Sequence, residues 1–220
     1  MNLSRSRMTP APLELAAAPP PVPGRLVHTL TSIVDRLDFT RLFPRAQPVE
    51  IELGAGDGSF LVEAASRNRD HNFLGVERLL GRLRKIDRKG QRRDLGNLLA
   101  VRIEASYFLE YLVPEASVTA LHVYFPDPWP KRRHAARRLV NSRFPTLAAR
   151  VLTEGGTVYF RTDSSAYFAQ MKSVFSSDAR FQAVDTPADL VGITTDFEAE
   201  FNLRGIPTLR TAFRQHVPST

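Results

Sequence analysis

Short apolar runs recur along this chain, separated by stretches of helical periodicity, and that alternation constrains the fold more than any other feature. The runs fall at 49–53, 72–76, 98–103, 118–125 and 156–160. Helical patterns fill 58–68, 79–93, 144–152 and 167–175, and Phe60, Leu61, Ala64 and Ala65 form the inward stripe of the first. Leu26, Leu30, Ile33, Val34 and Leu37 share one face at helical spacing, so a further helix is expected there. Strand–helix alternation calls for crossover connections, which predicts an α/β fold with a mainly parallel sheet and helices on both faces. The 220 residues suffice for one such domain, assigned to 25–220. Residues 1–24 read as a disordered tail, because Pro10, Pro12, Pro19, Pro20, Pro21 and Pro23 prevent a helix or a ladder. Residues 181–213 read as less regular.

In a sheet of this kind, ligands bind beyond the carboxyl ends of the strands, where strand order reverses. An acid follows each strand here: Glu52 with the first, then Glu77, Glu104, Asp127 and Asp163. Asp127 lies between Pro126 and Pro128, whose rings fix their own φ and push the preceding residues toward extended geometry. It is therefore expected to be held in place rather than swinging in solvent. Trp129 beside it reads as a loop anchor. The glycine turn runs Glu52-Leu53-Gly54-Ala55-Gly56-Asp57-Gly58. Its G-x-G-x-G spacing departs from the dinucleotide G-x-G-x-x-G, with Ser59 in place of the third glycine. Glu52 would repel a pyrophosphate but suits a cationic or zwitterionic ligand, and Glu77 is placed for ribose hydroxyls. S-adenosylmethionine has a sulfonium, an ammonium and no phosphate, so it is the expected cofactor.

The formal charge of +7 favours a polyanionic partner, with nucleic acid ahead of acidic membrane. Two regions are dense in cations, 131–138 and 82–93. The chain has no cysteine, which excludes disulfides, thiolate metal sites and a thiol nucleophile. No His/Asp cluster has metal-ligand spacing, so no metal is expected. No apolar run reaches the ~18 residues that cross a bilayer, and prolines interrupt every candidate signal-peptide core. A cytoplasmic location follows as the default.

Taken together, the motifs resemble the bacterial tRNA (guanine-N7-)-methyltransferases. The resemblance runs over about 49–213. Its most specific stretch is Phe125-Pro126-Asp127-Pro128-Trp129-Pro130-Lys131-Arg132-Arg133-His134, followed by Arg137-Arg138-Leu139. Glu52-Leu53-Gly54-Ala55-Gly56, Gly75-Val76-Glu77, Arg161-Thr162-Asp163 and Thr194-Thr195-Asp196-Phe197-Glu198 also match. The resemblance implies a Rossmann-like seven-stranded methyltransferase sheet with an antiparallel last strand. It implies methyl transfer from S-adenosylmethionine to N7 of a guanosine in the tRNA variable loop. Asp127 matches the catalytic position. Glu52, Gly54, Gly56, Gly58, Glu77, Glu104 and Asp127 match cofactor positions, although the family usually carries Asp at position 104. Lys131, Asp163, Thr195, Asp196, Phe197 and Glu198 match substrate positions, and position 196 is often Lys or Glu. Arg133, His134, Arg137 and Arg138 match the RNA-contacting loop. The expected partner is tRNA, with the chain a monomer or homodimer. The alternatives are methylation of another RNA base and a non-catalytic RNA-binding subunit.

Overall fold

The computed structural model describes residues 25–129 and 138–216. The expected tail, 1–24, lies outside them. A single eight-stranded sheet runs through the described chain in the order β1-β4-β3-β2-β5-β6-β8-β7. Its strands are β1 (Val27–His28), β2 (Val49–Leu53), β3 (Asn72–Val76), β4 (Leu98–Val101), β5 (Val118–Tyr124), β6 (Leu152–Thr162), β7 (Phe181–Val184) and β8 (Leu209–Gln215). All neighbouring pairs are parallel except those of β8, which runs antiparallel to both β6 and β7. The mainly parallel sheet with a reversed last strand is therefore present. The count is eight rather than seven, because two-residue β1 adds an edge beside β4.

That edge replaces the helix expected over 26–37. Pairing wins over periodicity here. Ala100 N donates to Leu26 O at 2.8 Å, and Leu26 N donates to Asp87 Oδ1 at 2.8 Å. The Leu26 side chain fills the notch left by Gly90, where an added Cβ would stand 2.3 Å from Leu26 Cδ1. Ile33 and Val34 are left 59% and 74% exposed, so they never form the face their spacing suggested. The 181–213 stretch is more ordered than expected. It holds β7, α7 (Ala188–Val191), α8 (Asp196–Leu203) and most of β8.

Helices cover both faces. On one, α2 (Ser59–Arg67) and α3 (Leu80–Gln91) bury Phe60, Leu61, Ala65, Leu83 and Ile86 against the sheet. On the other, α1 (Phe39–Leu42), α4 (Ala105–Tyr107), a π-helical turn (Phe108–Leu112), α5 (Phe144–Val151) and α6 (Ser165–Ser176) pack over a phenylalanine-rich core. Phe175 lies 4.9–5.1 Å, ring to ring, from Phe181, Phe160 and Phe213, and so locks α6 onto β6, β7 and β8.

α3 is held by its buried Leu83 and Ile86 against its own surface charge. Like charges at i and i+4, such as Arg84 with Arg88, cost roughly 0.2–0.5 kcal/mol each. Burying one Leu or Ile contributes about 1.5–3 kcal/mol, so packing decides.

β2 pairs with β3 on one side and β5 on the other, so strand order reverses at the β2/β5 boundary. The turn after β2 is shaped by glycines at φ 83°, 57° and 80°, Gly54, Gly56 and Gly58. At Gly58 an added Cβ would also stand 2.8 Å from Ile86 Cγ1, where α2 meets α3. Gly58→Ala should therefore lose about 2 kcal/mol or more from left-handed backbone and overpacking together. Urea unfolding checks this, and an unchanged midpoint would show that the turn relaxes freely.

Candidate active site at the strand tips

A cavity of about 430 Å³ opens above the β2/β5 boundary. Its walls come from the loops after four parallel strands: Gly54 after β2, Glu77 after β3, Glu104 after β4, and Asp127 with Trp129 after β5. Four of the acids read from the sequence thus gather in or beneath one hollow. Glu77 braces the glycine turn. Its Oε2 accepts from Gly56 N at 3.1 Å and its Oε1 from Leu79 N at 2.7 Å. Glu104 folds back on its own chain and caps α4, accepting from Ser106 N and Tyr107 N at 3.0 and 2.8 Å.

Glu52 lies under the turn, 4% exposed, and its Oε2 has no hydrogen-bond partner. Burial pushes its carboxyl well above the usual range. The Arg161 cation opposes the shift, while Asp57 and Glu77 add to it. An unpartnered buried carboxylate oxygen calls for a donor, and a cationic head group would supply both charge and N–H. Nothing stands within 4 Å of the Cβ position on Gly54, so the turn's backbone is open to a ligand. These features fit S-adenosylmethionine, whose amino-acid end would satisfy Glu52 and whose ribose would lie toward Glu77.

The acid loop after β5 is backbone-strained at both ends. Phe125 has φ 49° and Trp129 φ 39°, with Pro126 and Pro128 between them. Each left-handed residue without glycine costs about 1–2 kcal/mol, and such strain persists only when the surroundings enforce it. Two arginines do so. Phe125 N donates to the Arg161 carbonyl at 2.8 Å. Arg138 donates through Nε to Pro128 O at 2.7 Å and through Nη2 to Trp129 O at 3.4 Å. Arg138 also donates to Gln170 and lies 5.0 Å over the Tyr167 ring, both on α6. Asp127 itself stands exposed at the rim, held by its backbone rather than by burial.

Beneath the loop, β5 carries a buried polar chain. Glu50 accepts from His71 Nδ1 at 2.6 Å and His122 Nε2 at 2.7 Å. Burial alone would raise its carboxyl, but the hydrogen bonds from His122 and His71 hold it down at about 2. His122 Nδ1 is hydrogen-bonded to the Tyr124 hydroxyl at 2.9 Å. Tyr124 lines the cavity.

The remaining expected site residues lie outside the cavity lining or outside the described chain. Asp163 is exposed beyond β6. Thr195 is buried and caps α8, its Oγ1 accepting from Glu198 N at 3.0 Å. Asp196 N donates to Ser59 Oγ at 3.1 Å, and Lys89 Nζ bridges Asp196 and Asp57 at 3.4 and 2.9 Å. Phe197, 44% exposed, comes within 3.9 Å of the Cβ position on Gly56. The start of α8 therefore abuts the glycine turn. Glu198 is 1% exposed and already committed to Arg161, at 2.9 Å, and to Arg210. Arg138 is likewise committed, to the acid loop. Lys131, Arg133, His134 and Arg137 lie outside the described residues. Arg161 and His122 received no role from the sequence, whereas Arg82, which lines the cavity, belongs to the basic region 82–93 that reads as a candidate RNA grip. The signal for the first two was present, since each is a polar residue inside an otherwise apolar strand. Among the described residues, no group of three or more His, Asp or Glu side chains could hold a metal ion, and no helix is long and apolar enough to cross a membrane.

This hollow at the topological switch point, with its glycine turn, is the arrangement of a Rossmann-like methyltransferase. The crystal structure of the 16S rRNA methyltransferase KamB superposes with a TM-score of 0.60 over 81% of this chain and 93% of that one, at 17% identity. At that identity the likeness establishes the fold alone. The sequence matches the family described as "Putative methyltransferase" over residues 46–211. A tRNA (guanine-N(7)-)-methyltransferase of Sodalis glossinidius (strain morsitans) is 36% identical over 70% of this chain and 65% of its own length. One of Listeria monocytogenes serotype 4b (strain F2365) is 33% identical over 78% of this chain and 82% of its own. The chain belongs to the tRNA (guanine-N(7)-)-methyltransferase family. It spans about half to two thirds of the length of several curated relatives it matches.

Trp129 is the only tryptophan, so its fluorescence reports on the acid loop. Arg138→Ala removes the clamp on the Pro128 and Trp129 carbonyls. Its Trp129 emission should shift to the red and quench faster with acrylamide, while far-UV circular dichroism stays unchanged. Arg138→Lys should not restore the wild-type spectrum, because an ammonium lacks the planar fork that serves several acceptors and stacks on a ring. An unaltered spectrum in Arg138→Ala would remove Arg138 from loop positioning.

Proposed function

We propose that this protein transfers a methyl group from S-adenosylmethionine to N7 of a guanosine in the tRNA variable loop, giving 7-methylguanosine. We assign 25–220 as one methyltransferase domain, acting in the cytoplasm. The observation that carries the reading is the strained loop that aims Asp127 into the same hollow as the glycine turn and Glu77. The names of the relatives support the substrate.

When bound, S-adenosylmethionine supplies an electrophilic methyl on a sulfonium. The residues of this chain then act by placement and charge. Guanine N7 has a free lone pair, so no base has to remove a proton before attack. What remains is alignment of nucleophile, methyl carbon and sulfur, and stabilisation of the charge that appears on the guanine ring. Asp127 serves both ends. Its carboxylate accepts from the N1 and N2 donors of a flipped-out guanine and stabilises the ring as it becomes cationic. Adenine lacks that donor pair, so the same contact selects the base. Glu52 and Glu77 hold the amino-acid end and the ribose. Thr195, Asp196 and Phe197 form the acceptor side, and Glu198 positions them from below. Arg133, His134 and Arg137 serve as RNA contacts, and Lys131 and Asp163 as substrate contacts.

Incubation with labelled S-adenosylmethionine and an unmodified tRNA transcript, followed by nucleoside mapping, tests the reading. Label in 7-methylguanosine supports it, whereas label in another nucleoside or none refutes it. Asp127→Ala should lower kcat by about 10²–10³, the usual cost of removing one aimed electrostatic group, with cofactor affinity nearly intact.

Glu52 adds a pH signature. Its raised pKa means that the ligand-free protein holds a proton there at pH values where the unfolded chain has released it. Its contribution to stability therefore falls as pH rises through the folded pKa. A cationic ligand head reverses the preference and expels the proton, so affinity should rise with pH, by at most tenfold per unit. The window runs from the ordinary value of 4.5 up to the titration of the ligand's own amine, near about 7.7–8.0. Calorimetry in that window should show the slope in wild type and a flat profile in Glu52→Gln. Equal slopes would place the cationic head elsewhere.

A further inference from the structure

We propose that the exposed face of α3 is a second RNA-binding surface, continuous with the acceptor side of the cavity. The proposal deepens the functional reading above and rests on its RNA substrate.

α3 and its C-cap carry Arg82, Arg84, Lys85, Arg88, Lys89 and Arg92. Asp87, the one acid within α3, is turned to other work, since its Oδ1 accepts from Leu26 N and from Gln91 Nε2. Arg84, Lys85, Arg88 and Arg92 are exposed, and among the described residues none has an ion pair with an acid. Several surface cations elsewhere are paired with acids. Arg67 and Arg93 sit against Glu63, Arg143 against Glu110, Arg180 against Asp178 and Arg204 against Glu200. Arg84, Lys85, Arg88 and Arg92 repel one another and their neighbours at three- and four-residue spacing, and no acid among the described residues pairs with them.

Position makes this more than a solvated face. Arg82, Lys85, Lys89 and Arg92 recur at i, i+3, i+7 and i+10 and so share one stripe, about 15 Å long. The stripe is tied to the site at two points. Arg82 lines the cavity and lies 3.7 Å from Glu77. Lys89 binds Asp57 of the glycine turn and Asp196 at the start of α8. Exposed Arg78, whose carbonyl accepts from Arg102 Nε at 3.2 Å, continues the cations around the rim. A target base entering over α8 would carry its flanking phosphates along α3. The chemistry recognised is the phosphodiester backbone, which sets position rather than sequence.

The test uses the full chain with Lys85, Arg88 and Arg92 changed together to Gln, leaving Arg82 and Lys89 in place. A control carries Arg41→Gln and Arg45→Gln, exposed cations before β2. Affinity for the unmodified tRNA transcript is measured across a salt series, and methyl transfer is measured in parallel. Each lost phosphate contact lowers the slope of log K against log salt by roughly 0.7–0.9, so the triple variant should lose about 2–3 from the slope and roughly tenfold or more in low-salt affinity. KM for tRNA should rise while kcat and cofactor affinity hold, and the control should resemble wild type. Charge reversal of the same three residues to Glu should deepen the loss, with circular dichroism confirming that both variants fold. A triple variant with wild-type slope and affinity overturns the proposal while leaving the functional reading intact. A loss equal to that of the control also overturns it, as an effect of net charge alone. If wild type itself neither binds nor methylates tRNA, the RNA substrate is what fails, and this surface falls with it.

Discussion

One buried guanidinium sets the distance between the two sides of the site. Arg161, in β6, is 1% exposed. Its backbone carbonyl accepts from Phe125 N, fixing the entry to the acid loop. Its guanidinium lies 4.3 Å over the Tyr124 ring, pairs with Glu198 of α8, and donates to the carbonyls of Leu190 and Ile193. Removing a charge of this kind from water carries an effective penalty of several kcal/mol, which only a well-formed set of partners offsets. Those partners come from segments distant in sequence, the β5 tip, the α7 region and α8. The penalty that makes Arg161 costly also makes the geometry specific, because displacing any of these segments leaves a buried charge unpaired. The same cation lies close enough to Glu52 to oppose the effect of its burial.

The sheet and the acids at its tips were legible because both follow from strong local rules. Apolar runs of strand length separated by helical periodicity leave few alternatives to a parallel sheet, and that sheet fixes where each strand-terminal acid must point. What was not legible depended on partners supplied from afar. Leu26 to Leu37 has a good helical pattern, but Gly90 and the β4 edge offer a better contact that no window of sequence contains. Arg138 reads as one more cation in a basic run, yet Gln170, Tyr167 and two loop carbonyls are all within its reach. Glu198 reads as a substrate residue because the segment 195–198 matches the family's substrate positions. Arg161 and Arg210, which claim it, are 37 and 12 residues away. Glu104 illustrates a subtler limit. Its position is right, but both oxygens turn to the backbone of α4.

Apart from buried Arg161, the protein keeps most of the charges around the site in separate zones. Carboxylates collect at the strand tips and beneath them, and cations line α3 and the rim. A net charge of +7 would by itself raise the local potential for any anion. The acidic interior changes what such an anion meets: a phosphate is attracted to the surface but repelled from the hollow, whereas a cationic or neutral group can enter. Glu50 belongs to the same scheme. Held ionised by two histidines, it links β2 to His122 of β5, whose other ring nitrogen is bonded to Tyr124.

The strain in the acid loop follows from this arrangement. Asp127 is exposed, so water would screen it and its backbone would let it wander unless something else held the loop. Burial would be a poor means of fixing it, because desolvation and the neighbouring Glu52 and Glu77 would favour the protonated form of a buried carboxyl there. Backbone constraint is the remaining route. Two prolines limit φ inside the loop, two left-handed residues turn the chain at its ends, and arginines from β6 and from the far side of the loop hold both turns. The loop thus gives the carboxylate a fixed position, at the expense of about 2–4 kcal/mol of local strain borne by contacts outside the loop itself.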